Sequence, residues 1–270
     1  MKNNRCYLPG LWCIMLAFFA SSCYNGSASD SLSLDTNSGS GQGGSMARFT
    51  IKGDHMYTVD HQTLKVFDLS IPDKPRYLPS KDQELLVGAE TIFTMDTLLF
   101  IGSQNGMYIY NIARPEFPQE LSMTLHIKSC DPVVAQGNYA YVTLNSASSW
   151  CGRRSNVLQV YDISDPSYPV MLKEMASPFK SPLGLGVDGN RLFVCDQGVK
   201  VFDISRPEDP VWVDDLDHIR EIGQIKTYDL IPLGGLLLVV GEDGLYQFDY
   251  TGERLSFVSK MEVTKENETL

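Results

Sequence analysis

Val66-Phe67-Asp68-Leu69-Ser70-Ile71-Pro72-Asp73-Lys74-Pro75 has three close copies downstream. They are Ile109-Tyr110-Asn111-Ile112-Ala113-Arg114-Pro115-Glu116-Phe117-Pro118, Val160-Tyr161-Asp162-Ile163-Ser164-Asp165-Pro166-Ser167-Tyr168-Pro169 and Val201-Phe202-Asp203-Ile204-Ser205-Arg206-Pro207-Glu208-Asp209-Pro210. In each, prolines stand four and seven residues after an Asp or Asn. A fifth copy, Gln247-Phe248-Asp249-Tyr250-Thr251-Gly252, keeps the aromatic–Asp pair and loses the prolines. The Asp or Asn positions 68, 111, 162, 203 and 249 are separated by 43, 51, 41 and 46 residues.

Each copy follows a second strand-like run: Met56–Val59, Leu98–Ile101, Tyr139–Val142, Arg191–Val194 and Leu236–Val240. Turn residues precede these runs, as in Gln136-Gly137-Asn138 and Asp188-Gly189-Asn190. Short β-rich runs broken by turn residues predict an antiparallel meander. Four strands in about 45 residues is one blade of a β-propeller. A lone blade exposes two faces, and stacking buries them, which is why the unit recurs. The expected fold is therefore an all-β, five-bladed propeller over residues 46–263, with blades at about 46–88, 89–130, 131–181, 182–226 and 227–263 and a polar tail at 264–270. Asp217–Ile225 is the one short helical candidate, and a solenoid of the same repeats is the alternative architecture.

The recurring Asp fits turn chemistry: its carboxylate accepts local backbone N–H groups while proline fixes the next bend. Asn111 at the same place says that the turn needs an acceptor, not a charge. Phe67, Tyr110, Tyr161, Phe202 and Phe248 are expected between blades. The Leu-Gln-Val-Tyr-Asp-Ile-Ser-Asp-Pro segment resembles the LVIVD repeat of exported bacterial and archaeal surface proteins. That resemblance implies a propeller and an extracytoplasmic address, and brings no catalytic residues with it.

The N-terminus reads as an export signal. Lys2 and Arg5 precede the apolar run Leu11–Ala20, and Ser21-Ser22-Cys23 follows. Basic, apolar, then small residues is the signal-peptide order, and the apolar run is too short to span a bilayer. Ala20-Ser21-Ser22-Cys23 resembles a bacterial lipobox, which implies cleavage after residue 22 and a lipid on Cys23. A plain signal peptide cut near Ser22 and an uncleaved anchor are the other readings. Residues 23–45, rich in Ser, Gly and Asn, read as a flexible tether. The expected address is the envelope of a Gram-negative-type bacterium, at the outer membrane or cell surface. Loss of Lys2 and Arg5 takes the formal charge from −11 to −13. So acidic a chain lacks the basic footprint of nucleic-acid binding.

The remaining cysteines and the inner strands supply the candidate site. In propellers the connections into the inner strand and those between the second and third strands share one face. Cys130 and Cys151 meet on it and are expected to be bonded, with Cys195 buried in a strand. The 51-residue interval reflects an insertion, Asn145–Asn156, that carries Trp150, Arg153 and Arg154, residue types that dominate interface energetics. The inner strands of the other blades bring Arg48, Glu90, Asp131, Tyr228 and Asp229 to the channel mouth. These residues predict a binding scaffold for an envelope protein or a glycan, working as a monomer. Glu90, Asp131 and Asp229 also allow a second reading, a glycan hydrolase using paired carboxylates. The four histidines are scattered, so no metal site is expected. No phosphate loop, dinucleotide fingerprint or serine-hydrolase elbow occurs, so no cofactor is implied.

Overall fold

The computed structural model describes residues 40–41, 44–79, 82–85, 88–125, 132–145 and 156–263. Cys23, Cys130, Asp131, Trp150, Cys151, Arg153 and Arg154 lie outside them. Five antiparallel sheets form the blades of a β-propeller. Blade 1 holds β1 (Ser40–Gly41), β2 (Phe49–Lys52), β3 (His55–Asp60), β4 (Thr63–Asp68) and two short outer strands, β5 (Arg76–Tyr77) and β6 (Gln83–Glu84). Blade 2 is β7 (Ala89–Met95), β8 (Leu98–Ser103), β9 (Gly106–Asn111) and β10 (Gln119–Leu125). Blade 3 is β11 (Val133–Gln136), β12 (Tyr139–Leu144), β13 (Val157–Asp162) and β14 (Val170–Met175). Blade 4 is β15 (Leu185–Asp188), β16 (Arg191–Cys195), β17 (Val199–Asp203) and β18 (Val211–Asp215). Blade 5 is β19 (Thr227–Leu233), β20 (Leu236–Gly241), β21 (Gly244–Asp249) and β22 (Ser256–Glu262). The stretch 217–225 forms turns closed by Ile219 N to Leu216 O (2.9 Å) and Ile222 N to Ile219 O (3.4 Å), not a helix.

The repeated Asp or Asn does the same local work in every blade. Asp68, Asn111, Asp162, Asp203 and Asp249 accept the backbone N–H two residues on, from Ser70, Ala113, Ser164, Ser205 and Thr251, at 2.7–2.8 Å. The hydroxyls of Ser164, Ser205 and Thr251, with those N–H groups, hold the Asp162, Asp203 and Asp249 carboxyls below their ordinary range. The residue after the acceptor then bonds back to the first hairpin of its blade. Leu69, Ile112, Ile163, Ile204 and Tyr250 donate to the carbonyls of Asp54, Thr97, Asn138, Asn190 and Gly235. In blades 2 to 5 the third and fourth strands share a register shift just upstream, which bends the outer strand.

The first hairpin turns need positive φ. Gly53, Gly137, Gly189 and Gly234 supply it at 53–58° in blades 1, 3, 4 and 5, whereas blade 2 uses Asp96 at 51°. Two-residue hairpins require this conformation to match strand twist.

Aromatic side chains join the blades. Tyr110, Tyr161, Phe202 and Phe248 are all at most 3% exposed, each against the preceding blade. Phe67 differs from the expectation: it is half-buried, with its ring 5.0 Å from Tyr77, because it faces from blade 1 towards blade 5. Hydroxyls tie blades together as well. Tyr57 donates to Pro115 O of blade 2 (2.9 Å) and Tyr141 to Pro207 O of blade 4 (3.1 Å). Blade 2 has Phe100 at the tyrosine position, and Ser122 donates to Pro166 O (2.7 Å) instead. Blade 5 lacks the proline loop, and there the Phe193 ring sits 4.9 Å from Tyr250.

Candidate functional site: the channel mouth

The inner strands β2, β7, β11, β15 and β19 bring their leading ends together at one end of the propeller. Gly44 and Ser45, read from sequence as the close of a flexible tether, are buried there. Ser45 is 1% exposed and its Oγ accepts Leu185 N of blade 4 at 2.7 Å. The same hydroxyl donates to Asp229 Oδ1 of blade 5 (3.2 Å), and Met46 N donates to Oδ2 (3.1 Å). Leu230 N also reaches Oδ1 (3.0 Å). Ala47 then accepts Ile92 N of blade 2 at 2.9 Å. Four residues of chain, Gly44 to Ala47, thus touch blades 2, 4 and 5.

Asp229 is the electrostatic centre of this end. Burial pushes its carboxyl from an ordinary 3.8 up to about 6, against the four hydrogen bonds that favour the anion. Glycine is required on both sides of it. A Cβ on Gly44 would lie 1.9 Å from Asp229 Oδ2, and one on Gly184 would lie 2.3 Å from Oδ1.

The other described sequence candidates make contacts of their own. Glu90 is half-buried and accepts Gln104 Nε2 at 2.9 Å. Arg48 is exposed, with its carbonyl bonded to Val59 N. Tyr228 is half-buried under Lys226, whose Nζ stands 5.4 Å from the ring centre. Cys195 is free and fully buried, and burial raises its thiol far above the ordinary range.

A feature not anticipated from sequence lies beside the channel. Lys180, Lys200 and Lys226 line one pocket with Gln197, Asp217 and Gln224. Its floor is Asp196, 2% exposed, which accepts Lys180 N and Ser181 N and stands 3.8 Å from Lys200 Nζ. Lys180 comes from the β14–β15 connection, Lys200 from β17 and Lys226 from the entry to β19, so no local motif announces them. Among the described residues, no group of three or more His, Cys, Asp or Glu converges as a metal site.

The five-bladed architecture and the Asp-Pro turns agree with a profile match: the LVIVD repeat covers residues 128–176. The chain carries an LVIVD repeat within its propeller. No curated protein matches it. The LVIVD chain is similar in fold to a functionally unknown protein from Desulfotomaculum acetoxidans, at 14% identity and TM-score 0.66, covering 80% of this chain and 69% of that one. It is also similar to a protein from Lactobacillus plantarum, at 15% identity and TM-score 0.59, covering 77% and 67%. AztD of Citrobacter koseri is a third, at 12% identity and TM-score 0.54, covering 77% of this chain. The LVIVD chain spans 61% of the length of AztD. At these identities the likeness concerns the fold.

Proposed function

We propose that this LVIVD protein is a non-enzymatic binding scaffold of the cell envelope, held to the membrane by a lipid on Cys23. Its working surface is the channel-mouth face, and its partner is an envelope protein or a glycan. The observation that carries the reading is the engagement of Asp229: both its oxygens are taken by Ser45, Met46 and Leu230 of its own chain. A glycan hydrolase needs two carboxylates flanking an open bond. Here one of the two described candidates is clasped by the chain itself and the other, Glu90, is held by Gln104. Turn-making aspartates and packed aromatics account for the repeat, and that regularity suits a scaffold. The Trp150, Arg153 and Arg154 insertion supplies residue types that carry binding energy. The lysine pocket adds positive charge to an acidic chain, which favours an anionic group on the partner.

Three experiments test this. Capture from envelope extract with wild type and with Trp150→Ala/Arg153→Ala should show a partner lost from the variant, with thermal stability within about 1 kcal/mol of wild type. A glycan-hydrolysis screen should show no turnover; turnover abolished by Glu90→Gln or Asp229→Asn would overturn the scaffold reading. Cys23→Ala should move the protein from the membrane to the soluble fraction, and retention in the membrane would overturn the lipid anchor.

A further inference from the structure

Five blades share only four apolar cores among the described residues. Each core joins one blade to the next: 1 to 2, 2 to 3, 3 to 4 and 4 to 5. All four use the same repeat positions. The forward position on the second strand is Tyr57, Phe100, Tyr141 or Phe193, each at most 1% exposed. The backward position on the third strand of the next blade is Tyr110, Tyr161, Phe202 or Phe248.

At the ends of the series these positions are Leu238 in blade 5 and Phe67 in blade 1, and both are only half-buried. On the same two faces Phe49 is 55% exposed, Leu233 44% and Val240 45%. Blades 5 and 1 lack the strand packing that the other neighbours have. The Gly44–Met46 segment bridges their inner ends instead.

A terminal repeat that faces water carries a polar outer face. The outer face of blade 5 is mainly apolar, with Gln247 at a position held by Val66, Ile109, Val160 and Val201 elsewhere, and that of blade 1 sets Phe49, Ile51, Met56 and Phe67 beside Thr58, Thr63 and the Lys65–Asp60 ion pair. Such faces are built to be covered. The four existing cores state what covers them, namely another blade of this repeat. The similar propellers from Desulfotomaculum and Lactobacillus have about a third of their length beyond this chain's match, which at this repeat length is about two blades.

We propose that the seam between blade 5 and blade 1 is a docking surface for further β-blades of the same repeat. The incoming sheet presents a backward aromatic to Leu238 and a forward aliphatic or aromatic face to Phe49 and Phe67. It also brings a hydroxyl to the proline-loop carbonyl of blade 1, Pro72. The equivalent carbonyls of Pro115, Pro166 and Pro207 each accept a Tyr or Ser hydroxyl from the preceding blade, whereas blade 5 has Leu238 at the tyrosine position.

Carbene footprinting of the full chain tests whether the seam is open. Leu238, Val240, Phe49 and Phe67 should label at least several-fold faster than Phe193 and Phe248. The same measurement on a chain extended by a second copy of residues 182–263 tests whether the seam accepts blades. Labelling at those four positions should fall several-fold, and Leu238→Asp in the extended chain should restore it. Seam residues that label no faster than Phe248, or labelling unchanged by the extension, would overturn the proposal. A photo-crosslinker at position 238 in intact cells, with position 168 as control, tests for a separate chain. Crosslinked strand peptides of this repeat type from another polypeptide support it; crosslinks confined to residues 1–39 of the same chain or to lipid overturn it.

Discussion

Asp229 accepts the hydroxyl of Ser45 at 3.2 Å across 184 residues of sequence. The turn that leads into blade 1 is thereby fixed to the inner strand of blade 5. Ser45 carries the connection onward by accepting Leu185 N, so one hydroxyl links blades 4 and 5 to the segment that begins blade 1. The bond does at the channel mouth what apolar packing does between the other blades.

The raised Asp229 carboxyl makes this clasp pH-dependent in a definite sense. Its folded value of about 6 lies above the ordinary 3.8, so the folded chain binds the proton more tightly than the unfolded one. Stability from this group is fully present below about pH 4 and is lost as pH rises through about 6. A gap of that size corresponds to about 3 kcal/mol as an upper bound. Urea melts from pH 4 to 7 should show wild type losing stability relative to Asp229→Asn over this window. A constant difference between the two would show that the carboxyl titrates in its ordinary range. The exposed turn aspartates work oppositely: their lowered values give stability that is lost as pH falls, and taking the difference between the two proteins cancels them.

The tyrosine ties should each contribute a measurable amount. Tyr57→Phe and Tyr141→Phe remove the hydroxyl and leave a proline-loop carbonyl short of a donor, at a cost of about 1 kcal/mol apiece. Phe193 has no hydroxyl, and Phe193→Leu should cost through packing alone, about 1 kcal/mol. Thermal melts of the three variants check this, and a Tyr→Phe change without effect would mean that water replaces the bond.

Asp96 stands alone among the first-hairpin residues in adopting positive φ with a side chain. Short polar residues tolerate that region at some cost, and glycine reaches it freely. Asp96→Gly should stabilise the protein by about 0.5 kcal/mol and Asp96→Val should destabilise it by about 1–2 kcal/mol. Equal melting temperatures for the Gly and Val variants would mean that the turn relaxes to another type.

The blades were legible because their chemistry is local. An acceptor two residues before its donor, and a proline at a fixed offset, can be read from neighbouring letters, and Asn111 even told that the acceptor need not be charged. Asp229 was placed at the channel by strand alignment for the same reason. Its partner was not legible. Ser45 sits in a Ser/Gly run whose composition says tether, and only a contact 184 residues away makes it part of the core. Lys180, Lys200 and Lys226 were not legible because a connection, a strand and a strand entry meet only in space. The seam left two traces, Gln247 and Thr58 where the other blades hold aliphatic side chains, but a repeat count does not state whether the last blade meets the first.

The two glycines beside Asp229 give a sharp test of the clasp, because they are crowded by different atoms. A Cβ on Gly44 would meet only the Asp229 side chain, 1.9 Å from Oδ2 and 2.6 Å from Cγ. A Cβ on Gly184 would meet Oδ1 at 2.3 Å but also backbone, at 2.7 Å from Asp229 Cα and 2.8 Å from Tyr228 O. Both Gly→Ala changes should therefore destabilise by about 1–3 kcal/mol, the usual cost of overpacking. Shortening the carboxylate with Asp229→Ser removes the clash at Gly44 and leaves the backbone clash at Gly184. In double-mutant cycles Gly44→Ala should be rescued by Asp229→Ser, with a coupling of about 1 kcal/mol or more, whereas Gly184→Ala should remain close to additive. Additive behaviour at Gly44 would mean that the N-terminal segment does not rest on Asp229 in solution, and the clasp would fall with it.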